Sequence, residues 1–360
     1  MADGNARAKS ANERANSRGN GQTVNMKANH FKRFARRYIQ LLAAVLYNCN
    51  FKGFATGNIW QGSTKGLCAP GLNCYSCPGA VAACPLGSLQ TALLSSKYKF
   101  PYYVLGTLLL LGLLLGRLIC GFLCPFGFLQ ELLHKIPTPK LQKSRVTRAL
   151  SLLKYVILLV FVIAMPLIAL VPGFCEYICP AGTLEAGIPL TLLQERLRAL
   201  TGVLFTWKVA LLVLILVGCI LCYRAFCRFL CPLGAIYSFF NPVSFFGIRV
   251  DQSKCIHCDA CVRHCKMDVK KVCDRECIQC GECIASCPVD AIHYGVGRPA
   301  RQPSAPTGRE AFGKPAAKTV LRIVLVVLII AFLALGLSSN GFQDVKNKAI
   351  RICLECMGIG

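Results

Sequence analysis

Long apolar runs separated by short polar or basic segments set the pattern of this 360-residue chain. Four runs reach about 20 residues, the length a helix needs to cross roughly 30 Å of hydrocarbon: Pro101 to Ile119, Ala149 to Val171, Val203 to Leu221 and Val320 to Leu337. A weaker fifth, Tyr38 to Trp60, is interrupted by Asn48, Asn50 and Lys52. Two shorter apolar stretches, Phe126 to Leu133 and Leu233 to Phe240, fall short of a span and predict re-entrant or interfacial helices.

Basic residues orient these spans, because cytoplasmic segments carry the excess of Lys and Arg. The N-terminal arm holds Arg7, Lys9, Arg14, Arg18, Lys27, Lys32, Arg33, Arg36 and Arg37, and the loop Lys135 to Arg148 is also basic. Both are therefore expected inside. A crossing between the arm and the Pro101 run is then required, and Tyr38 to Trp60 supplies it. The expectation is an all-α membrane protein of about five transmembrane helices in the cytoplasmic (inner) membrane, N-terminus in and C-terminus out.

Composition agrees with that class: 54% of residues are hydrophobic and 16% charged. The net charge of +25 is concentrated in the arm and inner loops without aromatic interleaving, so it points to anionic lipid rather than to nucleic acid. Residues 1 to 25 lack an apolar signal core and read as a disordered arm that stays in the cytoplasm.

The 24 cysteines change the picture most. Two consecutive runs, Cys255, Cys258, Cys261, Cys265 and Cys277, Cys280, Cys283, Cys287 followed by Pro288, each have C-x2-C-x2-C-x3-C spacing. In that spacing three thiolates hold one cubane cluster and the fourth crosses to its neighbour. The expected ligands are Cys255, Cys258, Cys261 and Cys287 for one [4Fe-4S] cluster, and Cys265, Cys277, Cys280 and Cys283 for the other. Cys273 is a spare thiol in the spacer, and Lys266 stands where Pro often follows a fourth cysteine.

The chain also contains an internal duplication. Arg117, Cys120, Cys124, Pro125 and Gly127 recur at the same offsets as Arg224, Cys227, Cys231, Pro232 and Gly234. Upstream of each, Cys84-Pro85-Leu86-Gly87 resembles Cys179-Pro180-Ala181-Gly182. Cys120, Cys124, Cys227 and Cys231 are thus a candidate inner cluster site. Cys74, Cys77, Cys84, Cys175, Cys179, Cys353 and Cys356, with Cys68 beside them, form a candidate outer group, either a cluster site or a dithiol relay. Cys175 has Ala80 at its repeat counterpart, and Cys74 or Cys77 is expected to substitute. Cys219 and Cys222 read as small buried hydrophobes.

The resulting organisation is a basic arm (1–37), a transmembrane core (38–250), an α+β two-cluster ferredoxin domain (251–294), a flexible linker (295–318), a last helix (319–340) and an outer cysteine tail (341–360). His30, His134, His257, His264 and His293 all lie outside the spans, so haem is not expected. No nucleotide-binding run is present. Glu176, Glu185 and Glu195 lie in an outer loop and are expected to be solvated.

From Leu105 to Tyr294 the C-x3-C-P repeats and the cassette resemble the membrane-bound polyferredoxin-like 4Fe-4S proteins of the NapH and NosR type. The resemblance implies quinol-linked or cytoplasmically fed electron transfer through an inner-membrane subunit. The cysteine-rich loop Cys68 to Cys84 and the Cys353, Cys356 tail depart from the NapH pattern. The leading expectation is an electron conduit from a cytoplasmic ferredoxin or flavoprotein to a redox protein at the outer face. Alternatives are a quinol dehydrogenase subunit and a redox sensor or metalloenzyme maturation factor. No residues for an autonomous chemical transformation stand out.

Overall fold

In the computed structural model, residues 35–94, 100–141, 143–296, 315–350 and 354–358 are described. Most of the basic arm, the linker from 297 to 314 and Cys353 lie outside the described residues. By length and composition three helices are able to cross a membrane: Arg145–Ile168, Val203–Leu221 and Thr319–Ser338. Val203–Leu221 begins and ends where the apolar run does, and Val203, Trp207, Leu214 and Val217 are exposed along it. Large apolar side chains left uncovered in this way suit contact with lipid.

Tyr102–Leu115 is apolar but only 14 residues long, because the chain turns at Gly116 before the short helix Leu118–Phe122. The fifth run is not continuous. A helix over residues 35–47 ends at Asn48, and a second, Phe51–Thr56, follows. The break is held by side-chain amides: Asn48 Nδ2 donates to the Ala44 carbonyl and to Asn73 Oδ1, and Asn50 Nδ2 donates to the Pro78 carbonyl. The two short apolar stretches form helices, Pro125–Leu133 and Pro232–Phe240, each with Pro in its first turn.

The cassette forms a small α+β unit. Strands Phe246–Val250 and Ile292–Val296 pair antiparallel, with Phe246 opposite Val296 and Val250 opposite Ile292. Short helices Ala260–His264 and Glu282–Ala285 complete it. The pairing carries the unit a few residues beyond each end of the cysteine runs. After the last long helix, Gly341–Ala349 and Leu354–Met357 fold back against the cysteine-rich loops.

Candidate metal centres

The cassette is docked to the helical part through buried charge. Arg117 donates to the Arg275 carbonyl and pairs with Glu276 at 3.1 Å, and Lys154 pairs with the same carboxylate. Arg228 pairs with Asp268, both almost fully buried. Asn241 Nδ2 donates to the carbonyls of Asp274 and Cys277 at 2.7 Å. One cysteine row of the cassette therefore faces the helices. Cys277 is buried and Cys265 and Cys280 pack against the main core, whereas Cys258 is exposed on the far side.

Four Cys-Pro-x-Gly turns supply the remaining geometry. In one of them the backbone N–H of the glycine three residues on donates to the cysteine sulfur, Gly234 to Cys231 at 3.3 Å, and in the others Gly87, Gly127 and Gly182 stand near the sulfurs of Cys84, Cys124 and Cys179. A sulfur at the start of a helical turn meets unpaired N–H groups, which favour negative charge there. Sequence spacing shows the turns, and their pairing in space is the new information.

Cys120, Cys124, Cys227 and Cys231 are all buried. Burial pushes the Cys124 thiol up to about 12, and the neighbouring Cys227 and Cys120 sulfurs add to the rise. Crowded thiols of this kind resist ionising alone, and bound iron reverses that by replacing the proton. The two repeat-related arginines cross over the group. Arg224 donates to the Cys120 carbonyl, and Arg117 Nη2 donates to the Cys227 carbonyl at 3.4 Å. Glu131 neutralises the first, pairing with Arg224 at 2.7 Å and with Arg36 at 2.9 Å, and accepting from Tyr223 at 2.8 Å. Gln130 Nε2 donates to Cys227 Sγ at 3.0 Å.

A narrow cavity is lined by Cys74, Cys84, Cys175, Cys179 and Cys356, with Leu72 between it and Cys124. Cys356 arrives from the C-terminal segment, its thiol donating to Tyr75 Oη at 3.3 Å and its carbonyl accepting from the buried Lys208. Cys77 does not line this cavity; its thiol is directed to Asn48 Oδ1 at 3.7 Å. Cys68 is partly buried next to a single bridge to Ala83. Glu185 corrects the solvated-loop expectation: its Oε2 accepts from the Cys74 N–H at 2.6 Å, and burial raises its pKa to about 7. Cys219 and Cys222 are buried as expected, and Cys219 also donates to Gln130 Oε1 at 3.5 Å.

Among the described residues, no three His, Cys, Asp or Glu side chains close on one point tightly enough for a single metal ion. The eight cassette cysteines behave in the same way. A cubane cluster explains this, since it takes one thiolate at each of four separate irons and its ligands stand around a volume.

The centres are joined by backbone contact. A Cβ added at Gly121, next to Cys120, would overlap the Ile278 carbonyl oxygen, and Cys280 Cα would be 3.8 Å away. A Cβ at Gly71 would stand 2.8 Å from Cys124 Cα. Gly121→Ala is therefore expected to push the cassette from its seat and to lower stability by about 1–3 kcal/mol, the usual cost of overpacking. A thermal melt read through the cluster absorbance checks this, and an unchanged melt counts against the close seat.

Two family descriptions, each of a 4Fe-4S binding domain, match the chain: one at residues 100–144, 153–188 and 203–249, the other at 248–271 and 274–293. The uncharacterized protein MJ0750 of Methanocaldococcus jannaschii is 30% identical over 194 residues, 52% of this chain and 74% of that protein. The regulatory protein NosR of Pseudomonas aeruginosa is 32% identical over 174 residues, 46% of this chain and 22% of NosR. The putative electron transport protein YccM of Escherichia coli is 27% identical over 184 residues, 49% of each chain. Thus the match spans most of the first relative and about half or less of the other two. No solved structure matches.

Proposed function

This chain belongs to the membrane-bound polyferredoxin-like 4Fe-4S proteins, and from that premise we propose that it carries electrons across a membrane between a donor at the cassette and an acceptor at the opposite face. It is an iron-sulfur electron-transfer protein with two or more [4Fe-4S] clusters. The exposed cluster of Cys255, Cys258, Cys261 and Cys287 receives the electron from a cytoplasmic ferredoxin or flavoprotein. The cluster of Cys265, Cys277, Cys280 and Cys283 passes it to the inner group at Cys120, Cys124, Cys227 and Cys231.

The observation that carries this reading is the unbroken series of cysteine groups. The segment Ile278–Cys280 touches Gly121 beside Cys120, and the segment Gly71–Leu72 touches Cys124. A span of roughly 30 Å is then divided into short steps. In this reading Tyr102–Leu115 with Leu118–Phe122 makes a fourth crossing and residues 35–56 a fifth, so the arm and cassette lie in the cytoplasm and the tail outside the inner membrane. The half-units with C-x3-C-P turns are duplicates, and their crossed arginines support this.

The test uses the full chain in liposomes with an oxidised dye trapped inside and an impermeant reductant added on the cassette side. The dye is reduced by the wild type and stays oxidised with Cys280→Ala. A wild type with intact clusters that never reduces the dye overturns the transmembrane route.

A pocket of about 270 Å³ favours a second reading. It is lined by Tyr75, Phe100, Tyr102 and Tyr103 with Ser88, Thr91, Asp344 and Lys348, and it shares Tyr75 with the five-cysteine cavity. Aromatic walls with a few polar groups suit a quinol headgroup. Cluster reduction by added hydroquinone alone distinguishes this from the first reading.

A further inference from the structure

We infer that Cys74, Cys84, Cys175 and Cys179 hold a further [4Fe-4S] cluster, and that Cys356 is a fifth thiol standing beside it rather than a ligand. This deepens the electron-transfer reading and rests on it. The inference comes from a side-chain contact that recurs at both cysteine groups.

Six residues after each Cys-Pro-x-Gly cysteine stands Gln90, Gln130, Glu185 or Tyr237. In the inner group Gln130 reaches across to the other half, where its Nε2 donates to Cys227 Sγ at 3.0 Å and its Oε1 accepts from the Cys227 N–H at 3.3 Å. Cys227 is the first cysteine of that half's C-x3-C-P turn. Gln90 does the same in the outer group. Its Nε2 donates to Cys175 Sγ at 3.1 Å and its Oε1 accepts from the Phe174 N–H at 3.0 Å. Cys175 is likewise the first cysteine of its turn.

The inner tetrad is thus two turn cysteines, Cys124 and Cys231, and two first cysteines, Cys120 and Cys227. Three outer members follow by position: Cys84 and Cys179 as turn cysteines, and Cys175 as a first cysteine. The fourth place belongs to residue 80, which is alanine. Spacing alone leaves Cys74 or Cys77 as the substitute, and the cavity adds Cys356 as a third candidate.

Glu185 identifies the substitute. It is the six-residue counterpart on the second half, and its carboxylate accepts from the Cys74 N–H at 2.6 Å. That is the contact Gln130 makes with Cys227. Cys74 lines the cavity with the other three, and Cys77 is turned away toward Asn48. Cys356 also lines the cavity, yet its thiol is committed to Tyr75 Oη at 3.3 Å, and its segment belongs to neither half-unit.

The test is iron and acid-labile sulfide quantification on the full chain purified anaerobically, compared among wild type, Cys74→Ala and Cys356→Ala. Cys74→Ala is expected to lose about four irons and about four sulfides, and Cys356→Ala to lose none. An unchanged count in Cys74→Ala, or an equal loss in Cys356→Ala, overturns the assignment. The EPR signal of the two reduced cassette clusters reports whether each variant is folded. If Cys74→Ala loses that signal too, Cys74→Ser makes the comparison, and a wild-type count near eight irons overturns the site by itself. Dye-linked reduction of the cassette on the same samples tests the electron-transfer reading separately, since it is able to fail while the iron count stands.

Discussion

Glu276→Ala is expected to release the cassette from the helical part of the protein and to lower stability by about 3–5 kcal/mol, the cost of leaving a buried charge without its partner. Two cations depend on this carboxylate. Arg117 and Lys154 are both fully buried, and Glu276 is the acid that pairs with each. Its removal strands two positive charges next to Cys277, while the eight cassette cysteines remain in place. Both cassette clusters therefore form, and their electrons no longer reach the inner group. Glu276→Gln keeps the shape and one acceptor oxygen, so its loss is smaller. Chemical denaturation followed by cluster absorbance measures the first effect, and reduction kinetics at the inner group measure the second. A variant as stable as wild type, with unchanged kinetics, would show that this docking contact is dispensable.

The positions of the charges explain what sequence was able to reveal. Cysteine spacing is local, so the cassette, the C-x3-C-P turns and the short helices that follow them could be read residue by residue. Val203–Leu221 was equally legible because, the buried Lys208 apart, its exposed and core-facing sides are both apolar. The docking contacts were not. Arg117 recurs in the repeat, but its partner Glu276 lies 159 residues away and carries no spacing signal. The break in the first apolar run was marked by Asn48, Asn50 and Lys52, but the contact of Asn50 with Pro78 that holds it was not legible.

The same distinction holds at the outer cysteines. Their number and the missing cysteine at Ala80 were visible, whereas the choice between Cys74 and Cys77 required the Glu185 contact. Glu185 read as a solvated loop acid because its six-residue offset from Cys179 had meaning only once Gln90 and Gln130 were seen to reach across the halves. That offset was a signal present in the sequence. The sequence placed Cys356 in the outer group, but its contact with Tyr75, 281 residues earlier in the chain, follows from no local pattern.

Cys124→Ala separates the conduit from its rivals. If Cys120, Cys124, Cys227 and Cys231 hold a cluster, the variant loses about four irons and about four sulfides, while the cassette keeps its two clusters and its EPR signal. In the proposed route electrons from the reductant then fill the cassette and stop there, because Gly121 and Ile278 bring the Cys280 segment of the cassette against the inner group. The cassette becomes more fully reduced at steady state, and the trapped dye stays oxidised. The helix that begins at Pro125 takes no cap hydrogen bond from the Cys124 side chain, so the fold retains that helix start in the variant. Losing one buried heavy atom costs about 0.5–1.5 kcal/mol, which is small enough for the protein to remain folded during the measurement. An iron content equal to wild type would mean that the four sulfurs are buried apolar contacts. A quinol-fed route that enters at the Tyr75 pocket gives the opposite pattern to the conduit: in Cys124→Ala hydroquinone still reduces the outer group, and the cassette remains oxidised.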